Sequence, residues 1–456
     1  MWQRLLLWMV VLVWGQAAHS QTVFREVFGD LACYDEGYGI LPMGTGYLVS
    51  TAYLCNAGWQ SRMLLLDANG DSIDAYNATP FNGYVEPTTD GNYLYLGGNR
   101  AGLAYDTMVV AKVNQQLDTI WTAHLFFPEC NNQIYSATEV ADGYVVTGIF
   151  SETLCSIGTS FQSFAAKLDL GGQVLWQQSY GGPNDDDELF VVKEKTNGQL
   201  WFYGWKRDSS IVQPWLLITD SNGDSLTSHF GAVLGNGSGY GFDLTHDGGF
   251  ITISYSDSIY ARKFDSNFAL EWERSLGIQS GGVYFRAFEM QDRNFGFLAC
   301  LDGATGCNSH LFKLNTDGDF TWAKSWDGLL RNVNEPQPGQ FLLTGYTNAF
   351  PVLPEALVVR FDTIYDSIPN FIIETDLDIG LNIYPNPAKE MMHISCSDLI
   401  TAIGVYSLSG SELLLKTISP DFDYGLIVEK LPIGLYLLKV ETNSGRWLFR
   451  KFQILD

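Results

Sequence analysis

The amino-acid sequence predicts an all-β protein, a seven-bladed β-propeller followed by a small Ig-like β-sandwich at the C-terminus. Three observations carry this prediction. A short motif recurs seven times at an average interval of about 49 residues, each copy contains short runs of β-branched and aromatic residues, and the repeat stops near residue 366. A fixed period of this length is typical of architectures in which each unit packs against the next.

The repeated motif is an apolar or basic stretch that ends in Asp or Asn. Its copies are Leu64–Asp67, Ala111–Asn114, Ala166–Asp169, Leu217–Asp220, Arg262–Asp265, Phe312–Asn315 and Val359–Asp362. A turn such as Asp220-Ser-Asn-Gly-Asp224 follows the motif, and a pair such as Asp247-Gly248 precedes a strand, as turns with positive φ require. Three or four short strands per unit predict a propeller over residues 21–366. An open β-solenoid is the alternative, and it would require capping repeats at both ends.

The start of the propeller predicts how the ring closes. Residues 23–29 match the closing strand of a unit, as seen at 176–182. The propeller would therefore begin with the last strand of a blade whose other strands come from the seventh repeat, Phe341 to Asp366. Such a mixed blade would remove two exposed sheet edges.

Composition limits the possible partners. The chain has 456 residues, of which 46% are hydrophobic and 17% charged, so a disordered chain is excluded and a large core is supported. There are 26 Lys and Arg against 51 Asp and Glu, a net charge of −25. Nucleic acids and anionic membranes bind basic surfaces, so neither is an expected partner.

Residues 1–20 are typical of a secretory signal peptide. Arg4 precedes an apolar run from Leu5 to Trp14, and the small residues Ala18 and Ser20 mark a cleavage site before Gln21. The apolar run is too short to span a bilayer. We therefore expect export to the periplasm and removal of this segment.

Six of the seven cysteines occupy places in the repeats that suggest pairs. An exported protein meets an oxidising compartment, in which disulfides form. We predict the disulfides Cys33–Cys55, Cys130–Cys155 and Cys300–Cys307, the alternative being six buried thiols. Cys396 remains unpaired, and the absence of a Cys-x-x-Cys spacing gives no indication of zinc.

The repeat is followed by a linker at 367–380 and a separate C-terminal domain at 381–456. Runs of strand-forming residues in about 75 residues predict a small β-sandwich. Four motifs lie here in order: Tyr384-Pro-Asn-Pro-Ala388, Val405–Gly410, Leu431–Tyr436 followed by Lys439, and Arg450-Lys-Phe452.

This set of motifs resembles the type A C-terminal sorting domain of the type IX secretion system of the Bacteroidota. The residues that match the family are Tyr384, Pro385, Asn386, Pro387, Gly410, Gly434, Tyr436, Lys439 and Lys451. The resemblance implies the type IX machinery as a partner and a location at the cell surface or outside the cell, usually with removal of the domain. The chain departs from the family at Ser407, where Asp is frequent. The repeats are also similar to propeller-type repeats of secreted proteins of that phylum, which imply an architecture and no defined chemistry.

Catalytic motifs do not appear in the repeats. The sequence has no P-loop, no Gly-x-Ser-x-Gly and no His-Glu-x-x-His, and its six His are scattered singly. The turn Asp67–Asp71 resembles the start of an EF-hand loop, but its Gly stands fourth instead of sixth, so a hairpin turn explains it better. We predict no catalytic residue, no cofactor and no bound metal.

Two further patterns leave alternatives open. The acidic run from Asp185 to Glu188 predicts either a solvated inter-blade loop or a cation site. One group of tryptophans occupies the same position in several repeats, which predicts packing between blades. A second group lies outside that position, and its rings are expected either in the core or exposed, where they could stack on sugars. The first group is Trp121, Trp176, Trp272 and Trp322, and the second is Trp201, Trp205 and Trp215.

The predicted function is that of an exported, monomeric, non-enzymatic binding or adhesion scaffold for glycan or protein. The alternatives are a glycan-active hydrolase of propeller fold and a purely structural surface component. A carboxylate pair about 5–9 Å apart in the central pocket would favour the hydrolase. A channel without such a pair would favour binding.

Overall fold

The computed structural model describes residues 21–29, 33–55, 58–78, 81–98, 108–126, 132–151, 161–182, 186–208, 211–235, 237–277, 285–303, 306–347, 353–363, 381–385, 388–389, 391–407, 412–432, 434–443 and 447–454. These residues contain 33 strands, β1 to β33, and one short helix, α1. Seven antiparallel sheets of four strands come first along the chain, and one five-stranded sheet follows.

Each four-stranded sheet is one blade, and its strands are given from the centre outward. Blade 1 contains β2 to β5 (Tyr34–Met43, Gly46–Cys55, Gly58–Leu66, Ser72–Ala78), and blade 2 contains β6 to β9 (Phe81–Pro87, Tyr93–Gly98, Met108–Val113, Thr119–Leu125). Blade 3 contains β10 to β13 (Gln133–Val140, Gly143–Ser151, Phe161–Asp169, Val174–Tyr180), and blade 4 contains β14 to β17 (Asp186–Glu194, Leu200–Asp208, Ile211–Thr219, Ser225–His229). Helix α1 (Gly231–Leu234) precedes blade 5, which contains β18 to β21 (Ser238–Leu244, Phe250–Tyr255, Ile259–Phe264, Leu270–Gly277). Blade 6 contains β22 to β25 (Arg286–Glu289, Phe295–Gly303, Gly306–Leu314, Phe320–Asp327), and blade 7 contains β26 to β28 (Leu329–Gln337, Gln340–Tyr346, Ala356–Asp362) and β1 (Gln21–Phe28).

The blades form a closed ring. The first strand of each blade contacts the first strand of the next, and β26 of blade 7 contacts β2 of blade 1. The second and third strands of the blades are largely buried, while the fourth is largely exposed. A seven-bladed propeller is therefore confirmed, and the open solenoid is excluded because the two ends of the repeat meet.

Blade 7 is mixed, as the sequence predicted. Strand β1 pairs antiparallel with β28, from Gln21 opposite Asp362 to Phe28 opposite Ala356. The Phe24 ring also lies against Gly70 in the outer turn of blade 1. The N-terminal strand thus completes the last blade and contacts the first.

The repeated motif contributes to the hairpin turns of the blades. In four copies its lysine reaches an aspartate of the preceding turn within the same blade, as in Lys167 with Asp142 at 2.8 Å. Its final residue closes the next turn, because Asp169 Oδ1 accepts the backbone N–H of Gly171 at 2.9 Å and of Gln173 at 2.8 Å. These turn carboxylates are occupied by the protein itself, which supports hairpin turns over calcium loops.

Tryptophans of the outermost strands connect neighbouring blades. Trp121 Nε1 donates to the carbonyl of Leu170 at 3.0 Å, and Trp272 Nε1 donates to the carbonyl of Thr316 at 2.9 Å. Gly172, at φ 85°, allows the Trp121 ring to lie so close that a Cβ atom there would meet it at 2.5 Å. The predicted packing between blades is confirmed for these rings.

One predicted disulfide is present within the described cysteines. Cys33 and Cys55 are bonded across blade 1, with their Cα atoms 4.7 Å apart. Cys130 and Cys155 lie outside the described residues. Cys300 is buried and disulfide-bonded, but the side chain of Cys307 is outside the described part, so its pairing stays a prediction. Cys396 is a buried free thiol.

The C-terminal domain is a separate β domain. Its strands are β29 (Leu381–Tyr384), β30 (Met391–Ser407), β31 (Glu412–Ile427), β32 (Gly434–Thr442) and β33 (Trp447–Ile454). The pairing of β30 with β31 is interrupted near Ile400, and residues from all five strands enclose one apolar core. None of the helices in the described ranges has the length and apolar character that crossing a membrane requires.

Candidate functional site: a pocket in the central channel

The innermost strands carry a recurring one-residue β-bulge. The pairing register shifts on either side of Tyr38, Tyr135, Phe190, Tyr240 and Arg331, which belong to blades 1, 3, 4, 5 and 7. A bulge leaves one residue out of the ladder and changes the direction of its side chain. The same device thus brings one large side chain from each of these blades towards its neighbours around the channel.

Three of these rings, together with Phe285 beside the first strand of blade 6, form a continuous arc across blades 3 to 6. The centroids of Tyr135 and Phe190 are 5.0 Å apart, those of Phe190 and Tyr240 are 5.5 Å apart, and those of Tyr240 and Phe285 are 5.1 Å apart. Ring pairs at such separations stabilise one another beyond the area they bury. We call these four residues the aromatic arc.

The arc bounds a pocket of about 290 Å³ at the centre of the propeller. The volume lies at the lower end of the range for small-molecule sites, which are mostly apolar with a few polar groups. The lining residues are Tyr84, Gln133, Tyr135, Glu188, Phe190, Trp205, Tyr240, Phe285 and Arg286.

Arg286 brings a positive charge to the wall of this pocket. Its guanidinium lies 5.9 Å from the centre of the Tyr84 ring, so it reaches from blade 6 to blade 2 across the channel. Its Nη1 donates a long hydrogen bond of 3.4 Å to the carbonyl of Phe285. Within the described part of the chain, no carboxylate lies within ion-pair distance of it.

Glu188 brings a carboxyl group from blade 4. It lies opposite Trp205 in the pairing of β14 with β15. Burial and the charge of Asp186 raise the pKa of Glu188 to about 8, against the opposing effect of Arg207. Glu188 is therefore mostly protonated at neutral pH and can donate a hydrogen bond into the pocket.

The side of the channel formed by blades 7 and 1 is filled by a polar cluster. Arg331 Nη2 lies 2.8 Å from Glu36 Oε1, and both side chains are almost fully buried. The hydroxyls of Tyr34 and Tyr38 donate to the same carboxylate at 2.6 and 2.7 Å. Tyr38 meets Tyr84 edge to face at 5.5 Å, so this cluster adjoins the pocket.

Further charges lie on the innermost strands of blades 2, 4 and 5. Lys193 Nζ is 2.8 Å from Asp243 Oδ1. Burial raises the pKa of Glu86, while Lys193 and Arg286 act against that rise. Glu86 therefore acts electrostatically on Arg286, although the two form no ion pair.

The structure separates the residues of the predicted acidic run. Asp185 lies outside the described residues. Asp186 accepts the N–H of Phe161 at 3.1 Å, and buried Asp187 lies 2.9 Å from Lys206 Nζ. Of the described residues of this run, Glu188 is the one that lines the pocket. The described ranges contain no group of three or more His, Cys, Asp or Glu side chains placed to hold a metal ion.

The second group of tryptophans is in the core. Trp201 and Trp215 are buried, as one of the two alternatives predicted. Trp205 is also buried, at 8% exposure, but one part of its surface lines the pocket. The alternative of exposed indole rings is therefore wrong for all three, and Trp205 still offers an edge to a ligand.

The aromatic arc is not among the predicted site residues, although a spacing in the sequence accompanies it. Tyr135, Phe190 and Tyr240 each stand eight residues before a glycine with positive φ. Phe285 stands eight residues before Arg293, which also has positive φ, at 69°. The bulges at Tyr135, Phe190 and Tyr240 depend on strand pairing, which sequence spacing alone does not reveal.

Several sorting-motif residues can be located in the C-terminal domain. Tyr384 is exposed and stacks on His393 at 5.2 Å, and a cis peptide joins it to Pro385. Tyr436 is buried against Phe452 at 5.6 Å. Gly434 begins β32, Lys439 lies within it, and Lys451 lies in β33 opposite Leu437. Asn386, Pro387 and Gly410 are outside the described residues.

Comparison with known proteins identifies the C-terminal domain. Residues 382–454 match the family model described as a secretion system C-terminal sorting domain. This match confirms the sorting domain that the sequence motifs indicated. It indicates handling by the type IX machinery and export to the cell surface or the extracellular space. No curated protein matches the chain.

Solved structures resemble the chain only distantly. A protein of unknown function from Dyadobacter fermentans is 12% identical, with 75% of this chain and 98% of that chain covered and a TM-score of 0.44. A protein of unknown function from Bacteroides caccae is 12% identical, with 56% and 83% covered and a TM-score of 0.37. The Pan2 WD40 domain of Neurospora crassa is 8% identical, with 72% and 89% covered and a TM-score of 0.43. The assignment of the propeller rests on strand topology.

Proposed function

We propose that this exported propeller is a non-enzymatic binding protein that holds a small glycan in its central pocket. The observation that carries the proposal is the aromatic arc, a continuous wall of four rings from four blades beside a pocket of about 290 Å³. Aromatic walls with a few polar groups are the usual composition of a ligand site.

The pocket suits a sugar ring in both its apolar and its polar parts. The faces of Phe190 and Tyr240 are stacked at 29°, which leaves a broad apolar surface beside the cavity. Gln133, Arg286 and Glu188 add hydrogen-bonding groups around it. Rings are rigid, so they lose little conformational entropy when a ligand binds.

The carboxyl content of the pocket supports binding over hydrolysis. Among the nine described residues that line it, Glu188 is the one with a carboxyl group. Glycosidases of the usual type need two carboxyl groups facing the scissile bond. Monomeric behaviour, removal of residues 1–20 and division of the chain into 21–366, 367–380 and 381–456 belong to the same proposal.

The test is a glycan array incubated with purified residues 21–456, with each spot examined for retained protein and for trimmed sugar. We expect retention on a defined set of glycans without trimming. Tyr240→Ala should reduce retention at least tenfold, whereas Tyr76→Ala, a matched change on the exposed outer strand β5, should leave it unchanged. Both variants are compared with the parent by thermal unfolding, so that loss of fold is distinguished from loss of binding.

A second candidate, a glycan hydrolase, is favoured by one observation. Glu188 has the raised pKa that a general acid requires, and Asp186 precedes it by two residues on the same strand. Trimming that Glu188→Gln abolishes would establish this function. An array with neither retention nor trimming would contradict both candidates and favour a protein partner or a structural role.

A further inference from the structure

We infer that the central pocket selects a sugar that carries a carboxylate, a uronic acid, and that Arg286 is the residue that binds the carboxylate. This inference rests on the proposed function, because it specifies the ligand class of the same pocket. It is carried by the position of Arg286 among the aromatic rings and by the absence of a carboxylate partner for it in the described residues.

Most described arginines of the propeller meet a carboxylate at ion-pair distance, and Arg286 and the exposed Arg25 are the two that do not. Acidic residues outnumber basic ones about two to one, at 51 to 26. Arg331, on the innermost strand of the next blade, has Glu36 at 2.8 Å, and Arg262 of blade 5 has Glu273 at 2.6 Å. In a chain with so many carboxylates, an arginine that meets none at ion-pair distance is available to an external one.

The surroundings of Arg286 favour a planar anion attached to a ring. A guanidinium presents its N–H groups in a fork that matches a carboxylate with two parallel hydrogen bonds. The Arg286 guanidinium lies over Tyr84, and both residues line the pocket together with Tyr240 and Phe285 of the arc. A sugar ring against these aromatic faces would place an equatorial carboxylate within reach of the guanidinium.

Glu188 is compatible with an anionic ligand only while it is protonated. In that form it repels no carboxylate and can donate a hydrogen bond to a ligand oxygen. The charged groups that act on it are Asp186 on its own strand and Arg207 on β15. Arg286 lines the same pocket, as do the neutral side chains of Gln133, Tyr135 and Tyr240. Glu86 and Lys193 also act electrostatically on Arg286. Burial raises the pKa of Tyr240, so this phenol stays neutral through pH 9. Glu188 is therefore the group whose ionisation between pH 7 and 9 would weaken binding of an anion.

The experiment compares two ligands that differ in one group, methyl β-glucuronide and methyl β-glucoside, titrated calorimetrically into residues 21–456. We expect the glucuronide to bind at least tenfold more tightly at pH 7. Arg286→Gln should remove this difference. Arg25→Gln, which makes the same charge change on exposed β1, should leave it intact.

A pH series separates the role of Glu188. The affinity of the parent for the glucuronide should fall at least fivefold between pH 7 and pH 9, and Glu188→Gln should remove most of that fall. Equal affinity for the two ligands, or no effect of Arg286→Gln, would overturn the inference and leave glycan binding in place. Failure of both ligands and of the whole array would overturn the proposed function as well.

Discussion

The two sides of the central channel use the same types of side chain in different ways. Between blades 7 and 1, Arg331 is 2.8 Å from Glu36, which also accepts hydrogen bonds from two tyrosines. Across blades 2 to 6, Arg286 lies over an aromatic ring and has no carboxylate at ion-pair distance in the described part of the chain. One side is closed by its own hydrogen bonds, and the other contains a pocket.

This difference shows which side of the channel contributes to stability and which side is available to a ligand. Buried charges that meet their partners restrain the geometry around them, and they are costly to disturb because the remaining charge cannot return to water. A polar group beside a cavity without such a partner adds little to stability, but it is ready for a ligand. The following predictions therefore contrast the closed side, formed by Glu36 and its partners, with the pocket.

The largest expected effect is on the closed side. Glu36→Gln leaves Arg331 buried without a carboxylate, which costs about 3–5 kcal/mol of unfolding free energy. Urea denaturation followed by tryptophan fluorescence measures the loss. Glu26→Gln, the same change on β1, should shift the free energy by less than about 0.5 kcal/mol. A loss below about 1 kcal/mol for Glu36→Gln would show that the cluster is not a stabilising element.

The second largest effect on the unfolding free energy is expected from the disulfide of blade 1. Cys33 and Cys55 enclose a sequence separation of 22 residues, and Tyr34, which donates to Glu36, follows Cys33 directly. The double variant Cys33→Ser and Cys55→Ser should lose about 3 kcal/mol by the loop-entropy estimate. A reductant removes the same bond from the parent. In its presence, the parent and the double variant should therefore denature at similar urea concentrations. A parent that stays much more stable in the reductant would contradict this account.

Much of the propeller could be predicted because its sequence signals are local and repeated. The motif that ends at Asp169 marks both turns of its blade, since Lys167 and Asp169 each bind a turn within about 25 residues along the chain. The match of residues 23–29 to a closing strand predicted the mixed blade for a similar reason. Each of these features repeats a pattern that is visible elsewhere in the chain.

The pocket could not be predicted, because it depends on contacts between blades. Phe190 and Tyr240 are 50 residues apart, and their stacking follows from bulges in two different sheets. Glu188 lines the pocket, whereas its neighbour Asp187 pairs with Lys206. The local sequence around the two residues does not indicate this difference. The acidic run predicted a solvated loop or a cation site, whereas Asp186 to Glu188 belong to the innermost strand β14, with Asp187 buried and Glu188 lining the pocket.

On the pocket side, Glu188 should make stability depend on pH. Its pKa is raised from 4.5 to about 8 in the folded protein, so the folded state holds a proton that the unfolded chain has already lost. The contribution of Glu188 to the unfolding free energy is fully present below about pH 4.5 and is lost as the pH rises to about 8. We expect this loss to be on the order of 2 kcal/mol, because water that reaches the pocket screens the charged form. Glu188→Gln should lack this component. Parallel pH dependence of the two unfolding midpoints would contradict the assignment.

The smallest expected effect concerns Arg286, and it completes the comparison with Arg331. Arg286→Gln removes a charge that has no ion pair among the described residues, so the unfolding free energy should change by no more than about 0.5 kcal/mol. Arg331→Gln, the same substitution in the next blade, should cost several times more because the buried Glu36 loses the cation at 2.8 Å. Urea denaturation of the two variants side by side measures the contrast. If Arg286→Gln proved as costly as Arg331→Gln, Arg286 would belong to the framework of the ring, and the pocket would lose its free cation as a reason to bind an acidic sugar.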